Sequence, residues 1–455
     1  RVINSFLNSY GGDLMIGIDD NAHDIRGIEK EIKHWFPKFY DENENFAGIG
    51  KYNGEMCSEL VLRNLTVSAV VAPPYYPEWS IHKGFSAFKF QKSIVNRVNV
   101  IRCPLYVPKE VTTLARLLHL TSFAISSSLA LLSKVFSKSD VLFLVQPTLF
   151  CAPAALLYCK LTGTKAVMHI QDYEVDALFG LALSHNDKSL TFAKMIEKWL
   201  MSKFDAISTI SYSMVENAKN KGVPDNKIIY FPNWADIDFV THLTDGSMLK
   251  KEWGFKGSDK VVLYAGNMGK KQGLEIVLEA AAHYRKNIHL KFVFVGTGSH
   301  VKILQALAQK MRLNNLYFKP LQAWERVPEM LALADIHLVV QKKGAADAVL
   351  PSKLTNILSA GGHALITAES DTELGEIEKN HTGIYTRVEP EDIQAFIEGI
   401  DKLLLSDLST YNKIARAFAE EYLAKDIILN KFVDDLNRLN NPKNTINVEK
   451  EKVDV

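Results

Sequence analysis

At 455 residues, with 47% hydrophobic and 23% charged side chains, the chain has the composition of a globular protein too long for a single core. Its formal net charge of +1 excludes a general polyanion-binding surface, so nucleic acid is not expected as a partner. Cys57, Cys103, Cys151 and Cys159 lack paired metal-ligand spacing and sit in apolar or mixed surroundings, which predicts buried thiols in a reducing compartment.

The opening stretch, RVINSFLNSYGGDLMIGIDD, reads as a helix, a Gly11-Gly12 turn, a strand over 13–18 and an acidic turn. FAGIGKYNGEM follows at 46–56, a glycine loop with Gly48, Gly50 and Lys51 that feeds a helix. An apolar strand at 65–71 is ended by the breaker APPYYPEW. Further strands are expected at 98–102, 141–145 and 166–170, with helices at 111–136 and 152–161 between them. Strand alternating with helix predicts a doubly wound parallel sheet. Residues 117–136 carry little charge over about the length of a bilayer span. His119, Ser126 to Ser128 and Lys134 argue instead for a helix buried in a domain or resting on a membrane surface.

The pattern restarts after a junction at FPNW, residues 231–234. Strands at 260–265, 290–295, 316–318 and 336–340 alternate with helices at 274–284, 302–311, 324–334 and 353–360. Two closing helices at 393–405 and 409–439 and a polar tail complete the chain. The expected division is an N-terminal piece at 1–40, a first domain at 46–235, a second at 236–405, closing helices at 406–439 and a tail at 440–455.

Three glycine-bearing loops at strand ends carry the chemistry. In LYAGNMGKKQGLE a strand runs into Gly266, Asn267, Gly269, Lys270 and Lys271, and Gly273 precedes a helix. Such a loop brings backbone N–H groups and ammonium charges to a diphosphate. In FVGTGS, Gly296 and Gly298 leave room for a base or ribose. In QKKGAADAVLPSKLTNILSAGG a small flexible loop precedes Pro351 and Ser352, where a helix starts, and Gly361-Gly362, where it stops. That helix aims its first-turn N–H groups and dipole at the loop, an anion site that also reads as an ordinary capped helix.

In the first domain, VMHIQDYEVDA places Gln171, Asp172, Glu174 and Asp176 just past a strand end. Asp172, nearest that end, suits orienting a sugar hydroxyl or acid–base work, or capping a helix. His169 lies within the strand and reads as a structural histidine. Tyr75, Tyr76 and Trp79 suit sugar rings or a lipid-linked acceptor, and equally loop packing. The chain shows no Ser-His-Asp order, G-x-S-x-G or His/Cys metal cluster.

GIGKYNGEM, APPYYPEW, CPLYVP, PTLFCAP, HIQDYEVDA, STIS, FPNW, GNMGKKQGLE and LVVQKKGAADAVLPSKLTNIL occur in an order that resembles the family-4 glycosyltransferases, over residues 48–436. Within them the likeness is to enzymes of colanic acid and related exopolysaccharide synthesis. The resemblance implies a GT-B fold of the α/β class, with two Rossmann-like doubly wound parallel-sheet domains facing a cleft. It implies a nucleoside-diphosphate sugar in the second domain, a lipid-linked saccharide acceptor in the first, and transfer with retention, without metal or other cofactor. The expected location is cytoplasmic, peripheral on the inner membrane surface.

By the same resemblance the candidate catalytic residues are Asp172, Lys271 and Asp347. Donor-binding candidates are Gly266, Asn267, Gly269, Lys270, Gly296, Gly298, Leu350, Ser352, Lys353 and Asn356, and acceptor-side candidates Gly48, Gly50, Lys51, Tyr75 and Tyr76. Where the family carries a Glu-x7-Glu pair this chain has Ala348 and Asn356, with Asp347 as the replacement for the first carboxylate. The family's loop Arg and Lys fall on Asn267 and Gln272, and its His before the first-domain Asp on Gln171. Residues 33–47 stand where the family's first strand ends, so that strand is expected to be missing or replaced. The N-terminal piece resembles a fragment of the AlbA-like domain of Schlafen-type proteins, and its strand at 13–18 is the candidate to fill the gap. Sugar-nucleotide epimerases and hydrolases share this fold and donor pocket, and the altered positions also fit a non-catalytic binding protein.

Overall fold

Short β-branched runs separated by helices cannot pair as hairpins, and their polar backbone is satisfied by parallel sheets covered with helices. The structure, a computed structural model, describes residues 2–7, 14–19, 49–75, 79–110, 113–146, 149–171, 173, 187–343 and 351–440. The chain forms two units, the first running to Ile210 and taking in Met214–Phe231 and the chain from Leu429, the second built mainly from Pro232–Ile428.

The first unit holds β1 (Val2–Leu7), β2 (Leu14–Asp19), α1 (Ile49–Leu62), β3 (Thr66–Val71), β4 (Gln91–Val95), β5 (Val98–Arg102) and α2 (Thr113–Leu132). It continues with β6 (Val141–Val145), α3 (Ala152–Thr162), β7 (Lys165–Ile170), α4 (Asp187–Lys203), β8 (Ala206–Thr209), α5 (Tyr212–Asn220) and β9 (Ile228–Tyr230). The strands order as β4-β5-β3-β1-β6-β7-β8-β9. All five residues of β6 are buried, as a central strand covered on both faces requires. The connections β5→β6, β6→β7 and β7→β8 step the same way across the sheet, so the right-handed crossover rule puts α2, α3 and α4 side by side on one face. Contacts of α3 with both α2 and α4 agree.

The N-terminus departs from expectation. Residues 2–7 form a strand where a helix is predicted, and β1 pairs in parallel with β3 and β6 in the inner slot that the family comparison leaves empty. Tertiary pairing overrides local preference there, because a buried strand edge demands partners. The predicted strand at 13–18 is present as β2, which pairs antiparallel with the same two neighbours. The edge hairpin of β4 with β5 is antiparallel and escaped the sequence reading because its exposed alternation carries polar residues.

The second unit contains α6 (Ser247–Glu252), β10 (Lys260–Ala265), α7 (Glu275–His283), β11 (Leu290–Val295), α8 (Val301–Lys310), β12 (Leu316–Lys319), α9 (Val327–Ala332), β13 (Ile336–Val339) and α10 (Ser352–Ser359). There follow β14 (Ala364–Thr367), α11 (Glu373–Asn380), β15 (Thr386–Val388), α12 (Ile393–Leu404) and α13 (Lys413–Phe418), while α14 (Lys425–Asn440) starts in this unit and from Leu429 is counted with the first. Its sheet orders β12-β11-β10-β13-β14-β15, with each neighbouring pair parallel. One face packs through Phe292, Phe294, Leu278 and Phe396, the other through Val339, Leu354, Leu358 and Ile366.

The predicted single closing helix at 409–439 is broken into α13, a π-turn at Ala419–Leu423, and α14. A buried cation lies in α13, just before the break. Arg416 donates to the carbonyls of Ile237, Val240 and Ser359, and pairs with Glu420 at 2.7 Å. Ser359 is the last residue of α10, so a positive charge sits at the negative end of that helix. Arg416→Met should cost about 3 kcal/mol, because it strands buried carbonyls, and denaturant titration should show a lowered midpoint at unchanged slope.

Candidate functional site

In the second unit β10 leads outward through β11 to β12, and the chain then returns to place β13 on the other side of β10. The order therefore reverses between β10 and β13. In open α/β sheets that reversal leaves a crevice at the strands' C-terminal ends, because the following helices depart to opposite faces. The loops after β10, β11 and β13 are the three glycine-bearing loops of the sequence.

Two of them interlock through their backbones. Gly266 N–H donates to Val295 O at 2.9 Å, Met268 N–H to Thr297 O at 2.7 Å, and His300 N–H to Met268 O at 3.0 Å. Gly266, Gly296 and Gly298 have φ of 145°, 136° and 151°, open to glycine and strained for other residues. A Cβ at Gly296 would strike the Gly266 carbonyl, and one at Gly298 the Met268 carbonyl. Tyr264 O–H locks the same loop by donating to Asn267 O at 2.7 Å. Burial pushes the Tyr264 phenol up, so it remains a fixed donor.

The third loop approaches from β13. Thr367 Oγ donates to Gln341 O at 2.8 Å and accepts from Gln341 N–H at 2.7 Å, pinning the chain where it leaves the sheet. The Lys342 stem lies over Gly273, whose added Cβ would be 2.9 Å from Lys342 Cγ. Beyond the loop, α10 begins at Ser352, and its second residue turns back across the site. Lys353 Nζ sits 3.9 Å from the Tyr264 ring centroid, and 3.6 Å from where a Cβ on Gly266 would stand. Burial lowers the Lys353 ammonium from its ordinary 10.5 to about 7. Among the described residues no carboxylate forms a salt bridge with it. A ring face partly offsets the lost hydration of a cation, and an arriving anion would complete the pairing.

The sequence candidates divide accordingly. Gly266, Asn267, Gly296, Gly298 and Lys353 come together, with Gly269 and Lys270 further along the same loop and Asn356 one turn into α10. Gln272, where the family has a lysine, accepts from Gly269 N–H at 3.0 Å and shapes the loop instead of supplying charge. Lys271 and Ser352 lie in described elements, and their side chains are outside the described part. Asp347 and Leu350 lie outside the described residues, as do Asp172, Gly48 and Tyr76. Sequence reasoning missed Tyr264, Lys342 and Thr367. An aromatic inside a strand, a stem lying on a glycine and a clamp from the next strand leave no local signal.

On the first unit's side two readings change. Gly50 and Lys51 stand in the first turn of α1, not in the preceding loop, because the helix starts at Ile49. Tyr75 is buried, shares a hydrogen bond with His119 Nε2 at 3.1 Å and packs edge-on against Trp79, which is the loop-packing role. His169 is structural, as expected. Gln171 Nε2 donates to its Nε2 at 3.0 Å, leaving Nδ1–H to donate to Ser208 Oγ at 3.0 Å. Burial holds this imidazole neutral, with its pKa lowered to about 3. The four cysteines are buried and form no disulfide. Among the described residues no group of three or more His, Cys, Asp and Glu side chains is arranged to hold a metal ion.

Two units built on largely parallel sheets covered by helices, the second with a crevice at its switch point, have the architecture of the GT-B fold. Residues 47–234 match the family described as glycosyl transferase 4-like domain, and residues 247–421 that described as glycosyl transferases group 1. The chain belongs to this glycosyltransferase family. It is 45% identical over 395 residues to the protein described as the colanic acid biosynthesis glycosyl transferase WcaI of Escherichia coli (strain K12), covering 86% of this chain and 96% of that one. Among solved structures it resembles sucrose-phosphate synthase from Thermosynechococcus elongatus, with TM-score 0.68, 12% identity and coverage of 87% and 94%. It also resembles Anabaena HepE in complex with UDP and glucose, with TM-score 0.57, 15% identity and coverage of 75% and 87%.

Two outcomes test the geometry. Gly298→Ala should destabilise the second unit by about 2–4 kcal/mol through strain and the Met268 collision, seen as a lower unfolding midpoint. Lys353→Met should raise stability by about 1 kcal/mol near pH 7 while weakening anion binding. The unfolded chain keeps this proton up to about pH 10 and the folded chain releases it near pH 7. Wild-type stability therefore gains from this residue as pH rises between those values, so the variant's advantage should be largest at neutral pH and vanish towards pH 10. Paired thermal melts across that range check the sign.

Proposed function

We propose that the chain is a retaining glycosyltransferase that moves a sugar from a nucleoside diphosphate to a lipid-linked saccharide during exopolysaccharide assembly, as a peripheral protein on the cytoplasmic face of the inner membrane. The observation that carries the donor half is Lys353, a half-buried cation without a salt bridge among the described residues, held over Tyr264 beside the interlocked glycine loops. Support also comes from HepE, whose structures contain UDP and UDP-glucose. In this reading the diphosphate lies against the Gly266–Gly269 turn and the N-terminus of α10. The Gly296–Gly298 turn receives the ribose or base.

The acceptor oxygen bonds to the anomeric carbon, the bond from that carbon to the diphosphate breaks, and the acceptor's proton ends on the departing diphosphate. Charge develops on the leaving group, so fixed dipoles and cations aimed at it supply the largest protein contribution. Lys353, Lys270 and Lys271 are the proposed cations. Asn356 is proposed for a ribose hydroxyl, Asp347 for the donor sugar and Asp172 for orienting the acceptor. No metal or other cofactor is assigned a part.

Screening nucleotide sugars by thermal shift should single out the donor, since a ligand at one hundred times its dissociation constant adds about 2.7 kcal/mol. Sugar should then leave the donor only when a lipid-linked acceptor is supplied, and Lys271→Ala should lower turnover by about tenfold or more. Donor consumption without acceptor would point to a hydrolase or epimerase. Donor binding without turnover would point to a non-catalytic protein.

A further inference from the structure

The face of the first unit that carries α2, α3 and α4 is unusually apolar for an outer surface. Helix α2 is long and apolar enough to cross a membrane, yet it is two-sided. Leu120, Phe123, Ser127 and Leu131 are buried, and the helix packs on β3 and α3. Its other side leaves Leu118, Ile125 and Leu129 at 53%, 61% and 61% exposure. A spanning helix would have to abandon that half of the core, so α2 belongs to the domain and presents only its outer stripe.

The neighbouring helices extend the stripe. On α3, Leu157 and Leu161 are exposed. On α4, Phe192, Met195, Ile196 and Trp199 are exposed at the i, i+3, i+4 and i+7 spacing of one helix face. By contrast α1, on the opposite side of the sheet, exposes only Leu62 among its described large apolar side chains. Large apolar residues aligned on three adjacent helices exceed the scattered exposure normal for a soluble surface.

The charges say what covers them. Among the described side chains of these three helices the cations are Arg116, Lys160, Lys194, Lys198 and Lys203, while the one carboxylate, Glu197, is buried and paired with Lys221. Lys134 and Lys138 follow just beyond α2, and Lys109 and Glu110 precede it in the chain. This local excess stands out in a chain of net charge +1. Lys203 Nζ lies 5.5 Å from the Trp199 ring centroid, an aromatic and a cation side by side at the rim. Apolar residues flanked by lysines, with tryptophan between, match the layering of an anionic bilayer, whose acyl boundary takes the first and whose headgroups take the second.

We propose that the α2–α3–α4 face is a docking surface for an anionic lipid bilayer. The inference rests on the reading of a lipid-linked acceptor and deepens it by naming the surface through which the protein meets the lipid. The whole chain would be sedimented with vesicles of phosphatidylcholine alone and of phosphatidylcholine mixed with phosphatidylglycerol. Binding is expected only to the anionic vesicles and should fall with salt. Both Ile125→Ser/Leu129→Ser/Trp199→Ser and Lys194→Glu/Lys198→Glu/Lys203→Glu should reduce it by about tenfold or more. The replaced side chains are exposed, so melting temperature and circular dichroism should be unchanged. Wild-type protein left in the supernatant, or triple variants that bind as well as wild type, would overturn the proposal. A doubled mass by light scattering that the serine variant returns to monomer, without vesicle binding, would assign the face to a second copy instead. Nucleotide-sugar thermal shifts on the same samples separate the two readings: vesicle binding with no donor response removes the transferase reading alone, and the reverse removes only the docking face.

Discussion

The candidate site depends on two turns whose backbones occupy each other's space. Gly266, Gly296 and Gly298 pass so close that a methyl group on either of the latter two would meet a carbonyl of the neighbouring loop. This closeness follows from parallel pairing of β10 and β11, which brings both strands out of the sheet at the same level. Backbone hydrogen bonds then extend the ladder past the sheet, from Gly266 to Val295 and from Met268 to Thr297. The result is a rigid floor made of main chain. A site made of backbone N–H groups tolerates loss of the family's usual loop cations better than one built on side chains, because its dipoles do not depend on residue type.

Onto that floor the fold brings a charge it does not neutralise. Lys353 is held at the start of α10, and α10 is held at its other end by Arg416, whose guanidinium bridges three carbonyls. The two cations differ in their surroundings. Arg416 is fully committed to acceptors and a carboxylate, and serves stability. Lys353 faces an aromatic ring and glycine, and costs stability that an anionic ligand would return.

Much of this was legible in the sequence, for identifiable reasons. The strands at 98–102, 141–145, 260–265 and 290–295 are apolar, β-branched and bounded by polar or glycine turns, and they appear at those positions. The strands at Ala206–Thr209, Ala364–Thr367 and Thr386–Val388 are only three or four residues long, too short to show a period, and are strands because neighbours supply their hydrogen bonds. Likewise, the loops could be placed by their glycines, but the meeting of Lys353 with Tyr264 joins residues 89 positions apart (353 − 264) and has no local trace. The placing of Tyr75 shows the opposite difficulty, since it is buried against His119. An amphipathic ring looks the same in sequence whether its hydroxyl faces a ligand or a buried histidine.

The N-terminal slot shows how strongly a sheet constrains what fills it. β3 and β6 are buried strands, and with nothing between them each would carry a row of unpaired N–H and C=O groups in the core. Each such group costs of order 1–3 kcal/mol when buried without a partner, so an empty slot would outweigh the stability of a typical domain. Val2–Leu7 and Leu14–Asp19 both register on β3 and β6, one parallel and one antiparallel. The parallel occupant continues the direction of β3, β6, β7 and β8, and it keeps the chain's exit at the C-terminal edge of the sheet. Filling the slot is demanded by the backbone; which segment fills it is left to side chains and to connection length.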